Sequence, residues 1–289
     1  MEDVVVFDRV CKRYKDFQLD NVSFAVKRGF IHGFIGQNGA GKTTTIKLLM
    51  NLVRRDSGTI RVFGLDNLEH ERAVKQRIGF VYADSHFYED LTLEAMKRVV
   101  ASFYEGWDED AYRRYLRQFD LPPNKKIKQL SRGMKMKYAI ALALSHNADL
   151  IVMDEPTSGL DPVVRREILD ILRDVIQQED KTVFFSTHIT SDLEHVADYI
   201  TFIHDGRIRF SLSRDEVYDK YVLVKGGPEL LDQDTRQLFV GLREHAYGFE
   251  GLAVDSHRAR HWFGNQVVYE KPSLEDIMVY TIKHSIGGR

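Results

Sequence analysis

At 289 residues the chain allows one large domain, or a main domain with an appendage. Hydrophobic residues at 43% against 29% charged suit a globular chain able to bury a real core. The net charge of −2 lacks the electrostatic footprint of a general nucleic-acid binder, so no nucleic-acid partner is expected. The single cysteine, Cys11, excludes an intramolecular disulfide and suits a reducing compartment. No apolar run approaches the length of a bilayer span, and the acidic start Met1-Glu2-Asp3 lacks the pattern of a secretory signal. The expectation is a cytoplasmic chain that something else must hold if it works at a membrane.

The opening Val4-Val5-Val6-Phe7, and then Val22, Phe24 and Val26, alternate as half-buried strands do. A turn at Lys27-Arg28-Gly29 leads into the apolar run Phe30-Ile31-His32-Gly33-Phe34-Ile35, read as a buried strand. Gly36-Gln37-Asn38-Gly39-Ala40-Gly41-Lys42-Thr43-Thr44 follows and fits the pattern G-x-x-x-x-G-K-[ST]. Ile46, Leu49, Met50 and Val53 come next at helical spacing. Strand, glycine loop and helix are what phosphate binding requires. Glycines let backbone N–H groups turn toward one anion, and the helix N-terminus adds its positive dipole end. Gly36, Asn38, Gly39, Ala40, Gly41, Lys42, Thr43 and Thr44 are the nucleotide-binding candidates. Lys42 can reach the β and γ phosphates, and the Thr43 hydroxyl can ligate Mg²⁺. The reading is a nucleoside triphosphate site.

Ser57-Gly58 separates the helix after the loop from a strand at Thr59–Phe63. From Leu91 to Leu121 the pattern is helical and rich in aromatics, and it stops at Pro122-Pro123. Tyr138–Leu144 is apolar all round, as a helix buried on every side would be. Leu150-Ile151-Val152-Met153-Asp154-Glu155 has the profile of a central parallel strand ending in acid. Asp154 at its carboxyl end can hold Mg²⁺, and Glu155 is placed to accept a proton from attacking water. Asp161-Pro162 reads as an N-cap with proline at the first helical position. Val164, Ile168, Ile171, Leu172, Val175 and Ile176 mark one face of the helix that follows. Thr182–Ser186 is another buried strand, and Ser191 with Glu194 reads as a capping box. Tyr199–His204 and Arg207–Leu212 flank Asp205-Gly206, a hairpin signal. Alternating strands and helices predict a parallel α/β core. Beyond about Asp219 the pieces are short and strand-like, closing on a helix from Ser273 to Lys283. This divides the chain into a main domain, 1–218, with a helical part at about 85–148, and a small α+β module, 219–289.

The order of further segments points to a family. Leu130-Ser131-Arg132-Gly133-Met134 resembles the ABC signature, usually written L-S-G-G-Q, and Pro156-Thr157-Ser158-Gly159-Leu160-Asp161 resembles the D-loop. Ser186-Thr187-His188 resembles the segment of the switch histidine, and Tyr14 matches the aromatic that stacks on adenine. Over about its first three-quarters the chain resembles the ATP-binding subunit of ABC transporters. The resemblance implies a P-loop NTPase fold: a RecA-like core, an antiparallel β subdomain and a helical subdomain. It implies that Lys42, Thr43, Asp154, Glu155 and His188 act on Mg·ATP in one subunit. Ser131, Arg132 and Gly133 would meet ATP held by a second ABC ATPase subunit, identical or paralogous, with Asp161 linking the two sites. Partners would be that second subunit and an integral membrane permease, which would hold this chain on the inner face of the cell membrane.

Some features depart from the family pattern or stay open. After Ile78-Gly79-Phe80-Val81 the family usually has a glutamine; here the stretch is Tyr82-Ala83-Asp84. Asp84 is either a substitute metal-facing or water-facing oxygen, or a loop aspartate facing solvent. Arg132 and Met134 stand where Gly and Gln are commoner. Phe87, Tyr88, Phe103, Tyr104 and Trp107 either line a docking surface for a permease or belong to the core. The stretch Ile78–Leu93 and the ending Ser273-Leu274-Glu275-Asp276-Ile277 resemble an export-type branch. A soluble ABC ATPase acting on DNA or ribosomes usually carries a coiled-coil insertion or tandem cassettes, and this sequence has neither. A sensing complex would use the same engine.

Overall fold

The computed structural model describes residues 2–82, 87–179 and 181–287. The chain divides into two compact units, Met1–Ser211 and Leu212–Arg289, ahead of the composition change at Asp219.

The first unit begins with β1 (Asp3–Arg13) and β2 (Gln18–Lys27), which pair antiparallel and set Phe7 opposite Phe24. Their buried residues include Val5, Phe7, Val10, Val22, Phe24 and Val26, the apolar positions of the sequence pattern. β3 (Ile31–Ile35) is buried throughout and runs into the glycine loop and α1 (Lys42–Leu49). Then come β4 (Ser57–Val62), β5 (Leu65–Asp66), α2 (Glu71–Gln76) and β6 (Ile78–Tyr82). β1, β2, β4 and β5 form an antiparallel sheet in the order β2-β1-β4-β5.

The aromatic-rich stretch forms two helices, α3 (Leu93–Ala101) and α4 (Glu109–Gln118), instead of one continuous run. The break has a local cause. The Asp108 side chain accepts from the backbone N–H of Asp110 and Ala111, starting a new helix. α5 (Arg132–Leu144) then carries an almost unbroken buried run from Tyr138 to Leu144.

β7 (Leu150–Asp154), α6 (Pro162–Glu179) and β8 (Thr182–Thr187) follow. After them come α7 (Thr190–Val196), β9 (Tyr199–His204) and β10 (Arg207–Ser213). The second sheet has the order β10-β9-β3-β8-β7-β6, and β3 lies between β8 and β9 in parallel register. Crossovers to non-adjacent strands bring the carboxyl ends of β3, β6, β7 and β8 to one edge, where open α/β sheets place ligands. The two sheets are joined by aromatic rings: Phe24 packs 4.6 Å from Phe7, 5.4 Å from Phe34 and 5.8 Å from Phe184.

The second unit holds α8 (Arg214–Lys220), β11 (Val222–Gly226), α9 (Gln233–Arg236), β12 (Phe239–His245) and β13 (Gly248–Ala253). α10 (Ser256–Phe263), β14 (Val268–Glu270) and α11 (Leu274–Gly287) complete it. Its sheet is antiparallel in the order β12-β13-β11-β14, over a core that includes Phe239, Phe249 and Phe263. The α+β content expected from the sequence is present. Ser273 and Asp276 bond reciprocally at the start of α11. Among the described residues no helix is long and apolar enough to cross a membrane.

One expected feature is absent. Ser191 and Glu194 do not form a capping box: α7 starts after Ile189, which supplies no side-chain cap. The Ser191 hydroxyl instead accepts from Arg165 Nη2 at 2.6 Å. Ser191 is the second residue of α7 and not its N-cap, so the backbone start falls two residues earlier than the pattern predicts.

Candidate active site

The glycine loop leaves β3 at Gly36, whose backbone sits so close to Ile203 that a Cβ there would lie 2.5 Å from the Ile203 carbonyl oxygen. Gly41 begins α1 at φ 113°, where a side chain would be strained, and a Cβ would lie 2.5 Å from Leu19 and 2.9 Å from Phe17. Both positions therefore need glycine for a backbone reason, and Gln37, Asn38 and Gly39 remain exposed at the tip. Ala40 is tied by its carbonyl to the N–H of Gly206 at 3.1 Å. Lys42 is buried, and its ammonium donates to the carbonyls of Gly36 (2.7 Å) and Gln37 (3.2 Å). It also lies 3.1 Å from Glu155 Oε1. Thr44 is half-buried and Thr43 exposed on the first turn of the helix.

Asp154 ends β7, paired in register with Ser186 on β8 and Tyr82 on β6. Its Oδ1 accepts from Ser186 Oγ (2.6 Å) and from Thr43 Oγ1 (3.3 Å). Tyr82 feels this carboxylate: burial first, and then the negative charge of Asp154, push its phenol above the usual tyrosine range.

Glu155 leaves the strand with φ at 52°, a left-handed conformation that costs a residue with a Cβ about 1–2 kcal/mol. The surroundings hold it there. Its N–H donates to the Ser186 carbonyl and lies 3.1 Å from Ser186 Oγ, while the carboxylate spans Lys42 and His188. His188 Nδ1 is 2.7 Å from Glu155 Oε2. A carboxylate only accepts, so Nδ1 is the donor of this bond and Nε2 is turned away from Glu155. Five side chains from three separate segments thus converge: Lys42 and Thr43, Asp154 and Glu155, and His188.

The signature residues are placed differently. Ser131 caps α5 through its Oγ, which accepts from Met134 N–H at 3.2 Å. Ser131 and Arg132 are exposed, and Gly133 is packed so tightly that a Cβ would lie 2.4 Å from Val164 on α6. The Arg132 guanidinium lies over Gly159 of the D-loop, within 2.2 Å of where a Cβ would sit. Asp161 caps α6 by accepting from the N–H of Val163 (3.0 Å) and Val164 (3.1 Å), as expected. Tyr14 is partly exposed in the β1–β2 turn, closed by its N–H to the Phe17 carbonyl at 2.7 Å. Phe17, in contact distance of Gly41, sets that turn against the loop. Asp84 lies outside the described residues.

Sequence reasoning assigned no role to Ser186, Thr157, Asp192, Arg165 or Phe17. Ser186 had a signal in its position two residues before His188 and Thr157 in its place in the D-loop segment, while Asp192, Arg165 and Phe17 carry none along the chain. Of the aromatic group, Tyr88 and Phe103 are exposed. Phe87 packs on Tyr138, Tyr104 stacks 3.7 Å from His146, and Trp107 packs on Tyr112.

Residues 19–158 match the domain family described as ABC transporter. The lantibiotic transport ATP-binding protein SrtF of Streptococcus pyogenes is 35% identical over 192 residues, 66% of this chain and 82% of that protein. The chain belongs to the ABC transporter ATP-binding proteins. The bacitracin transport ATP-binding protein BcrA of Bacillus licheniformis is 34% identical over 192 residues, 66% of this chain, and the match spans 63% of BcrA. Among solved structures, the ATP-binding cassette MJ0796, as a dimer in a post-hydrolysis state bound to ADP and Pi, aligns with a TM-score of 0.64 and 25% identity. That alignment covers 72% of this chain and 98% of the cassette. The first unit is therefore an ATP-binding cassette of P-loop ATPase fold.

Proposed function

We propose that this chain binds Mg·ATP and hydrolyses it as one of two cassettes in a head-to-tail dimer, driving a separate export-type membrane permease. The observation that carries the reading is the Glu155 carboxylate held between the Lys42 ammonium and the His188 ring. Glu155 takes the proton of the attacking water at a carboxylate oxygen. His188 fixes the orientation of that carboxylate and presents Nε2 as a second polar atom. Lys42 and the glycine-loop N–H groups hold the β and γ phosphates. Tyr14 stacks on adenine. Ser131, Arg132 and Gly133, at the start of α5, meet the nucleotide of the opposite subunit, and Asp161 lies at the join.

The residues fit Mg²⁺. Thr43 Oγ1 and Asp154 Oδ1 are hard oxygens 3.3 Å apart, and one or two such ligands completed by phosphates and water suit that ion. Among the described residues no larger cluster of His, Cys, Asp or Glu offers another metal site. When bound, Mg²⁺ supplies charge neutralisation to the phosphates.

A permease docks, on this reading, beside the end of β6, where an apolar cavity of about 250 Å³ is lined by Phe80, Tyr82, Phe87, Met96, Val100 and Tyr104 among others. A relative named for export, the Nod factor export ATP-binding protein I of Burkholderia orbicola, supports the export direction. The chain then works on the cytoplasmic face of the membrane, held there by its permease.

The test is Glu155→Gln. It should bind ATP as the wild type does, lose at least about 100-fold in steady-state hydrolysis, and elute as an ATP-stabilised dimer in size-exclusion chromatography. Near-normal turnover would overturn the assignment of the base.

A further inference from the structure

Asp192 lies on α7 with none of its surface exposed, and nothing in the site above uses it. Each carboxylate oxygen has a separate partner. Oδ2 accepts from Thr157 Oγ1 at 2.6 Å, and Oδ1 from Arg165 Nε at 2.5 Å. Arg165 Nη2 reaches on to Ser191 Oγ. Three segments therefore meet at one buried carboxylate: the D-loop through Thr157, the first turn of α6 through Arg165, and α7 itself.

Sequence distance gives this cluster its meaning. Thr157 is two residues beyond Glu155, and Asp192 is four residues beyond His188. The chain segments that carry the base and the switch histidine are thus joined twice, once by His188–Glu155 and once by Asp192–Thr157. We propose that Asp192, with Thr157 and Arg165, is a latch that positions the Glu155 and His188 side chains against each other and fixes the D-loop to both. This rests on the hydrolytic reading given above.

The physical argument is one of alternatives. α7 is a single short helix without a side-chain cap, so its own first turn does not fix how His188 enters it. Glu155 sits in a sparsely populated backbone region that persists only where neighbours over-determine it. Thr157 is buried, and Glu155 and Thr157 are separated only by Pro156, whose ring restricts the linking backbone. Removing the Thr157 hydroxyl leaves a buried carboxylate oxygen without its donor, and the segment has to move to satisfy it. The movement is transmitted along two residues to Glu155 and four to His188. Asp192 is a positioning residue in this scheme and touches no substrate.

The experiment compares Thr157→Val, Thr157→Ser and Asp192→Asn with the full-length wild type. Steady-state ATPase kinetics, affinity for a fluorescent ATP analogue and thermal melting are read on each. Thr157→Val should lower kcat at least tenfold while KM and analogue affinity stay within twofold, and Thr157→Ser should restore kcat to within about threefold of wild type. Asp192→Asn, if it folds, should resemble Thr157→Val, and the double variant should be little worse than either single one. Equal kcat in Thr157→Val and wild type overturns the latch. So does a fall in kcat matched by loss of nucleotide binding and melting temperature in Thr157→Val that Thr157→Ser shares. A wild type that binds ATP without hydrolysing it overturns the catalytic reading and the latch together, which separates that failure from the first.

Discussion

His32 is the second residue of β3 and is 2% exposed. Its Nε2 accepts from the Lys27 N–H at 2.8 Å, its ring stacks 4.7 Å from Tyr199, and Nδ1 has no hydrogen-bond partner among the described residues. Burial, and then the positive charge of Lys27, lower its pKa from 6.5 to about 3. The ring is therefore neutral in the folded protein across the ordinary pH range. In the unfolded chain it protonates near 6.5, so stability is complete above that value and falls as pH drops toward about 3. At pH 5 the unfolded state gains 1.5 pH units of protonation that the folded state does not share. At about 1.36 kcal/mol per unit this is about 2 kcal/mol. The perturbation is His32→Gln, which keeps an acceptor for the Lys27 N–H and cannot titrate. Urea unfolding of both proteins at pH 8 and pH 5 measures the effect. The wild type should lose about 2 kcal/mol more than the variant between those values. His146 and His204 are also depressed by burial, but they are present in both proteins and cancel in the comparison. Parallel losses in the two proteins would refute the buried, neutral His32.

Gly133→Ala places a Cβ 2.4 Å from Val164, so the start of α5 or α6 must shift; melting should fall by an amount equivalent to about 1–3 kcal/mol. Val164→Ala in the same chain should restore most of it, and a melting temperature unchanged by the single substitution would contradict the close approach. Tyr14→Ala should weaken ATP binding about tenfold, from loss of about 1–3 kcal/mol of base stacking, with little change in melting because the ring is 42% exposed. Tyr14→Phe should bind as the wild type does, and equal affinities for all three in an analogue titration would remove Tyr14 from the adenine site.

The local part of the architecture was readable because it depends on local chemistry. The glycine loop announces itself, since Gly41 at positive φ and a lysine one residue later are requirements of the backbone and of the phosphate. The Asp161-Pro162 start of α6 and the Asp205-Gly206 hairpin turn were likewise legible, each being settled within four residues. The same local logic failed at Ser191, which is the second residue of α7 and not its N-cap. It also missed the interruption at Asp108, where the hydrophobic pattern continues although the backbone does not.

The identity of the candidate chemistry was therefore determined by the sequence alone: Lys42, Thr43, Asp154, Glu155 and His188 are recognisable by type, order and neighbours. Their convergence was decided by tertiary structure. β3, β7 and β8 lie side by side only because crossovers reorder strands that are far apart in the chain. That order sets Ser186 on Asp154 and His188 on Glu155. The latch at Asp192 belongs wholly to this second kind of information. Thr157, Arg165 and Asp192 have no periodicity or motif in common, and a buried carboxylate reveals its role only when its donors arrive from other parts of the fold.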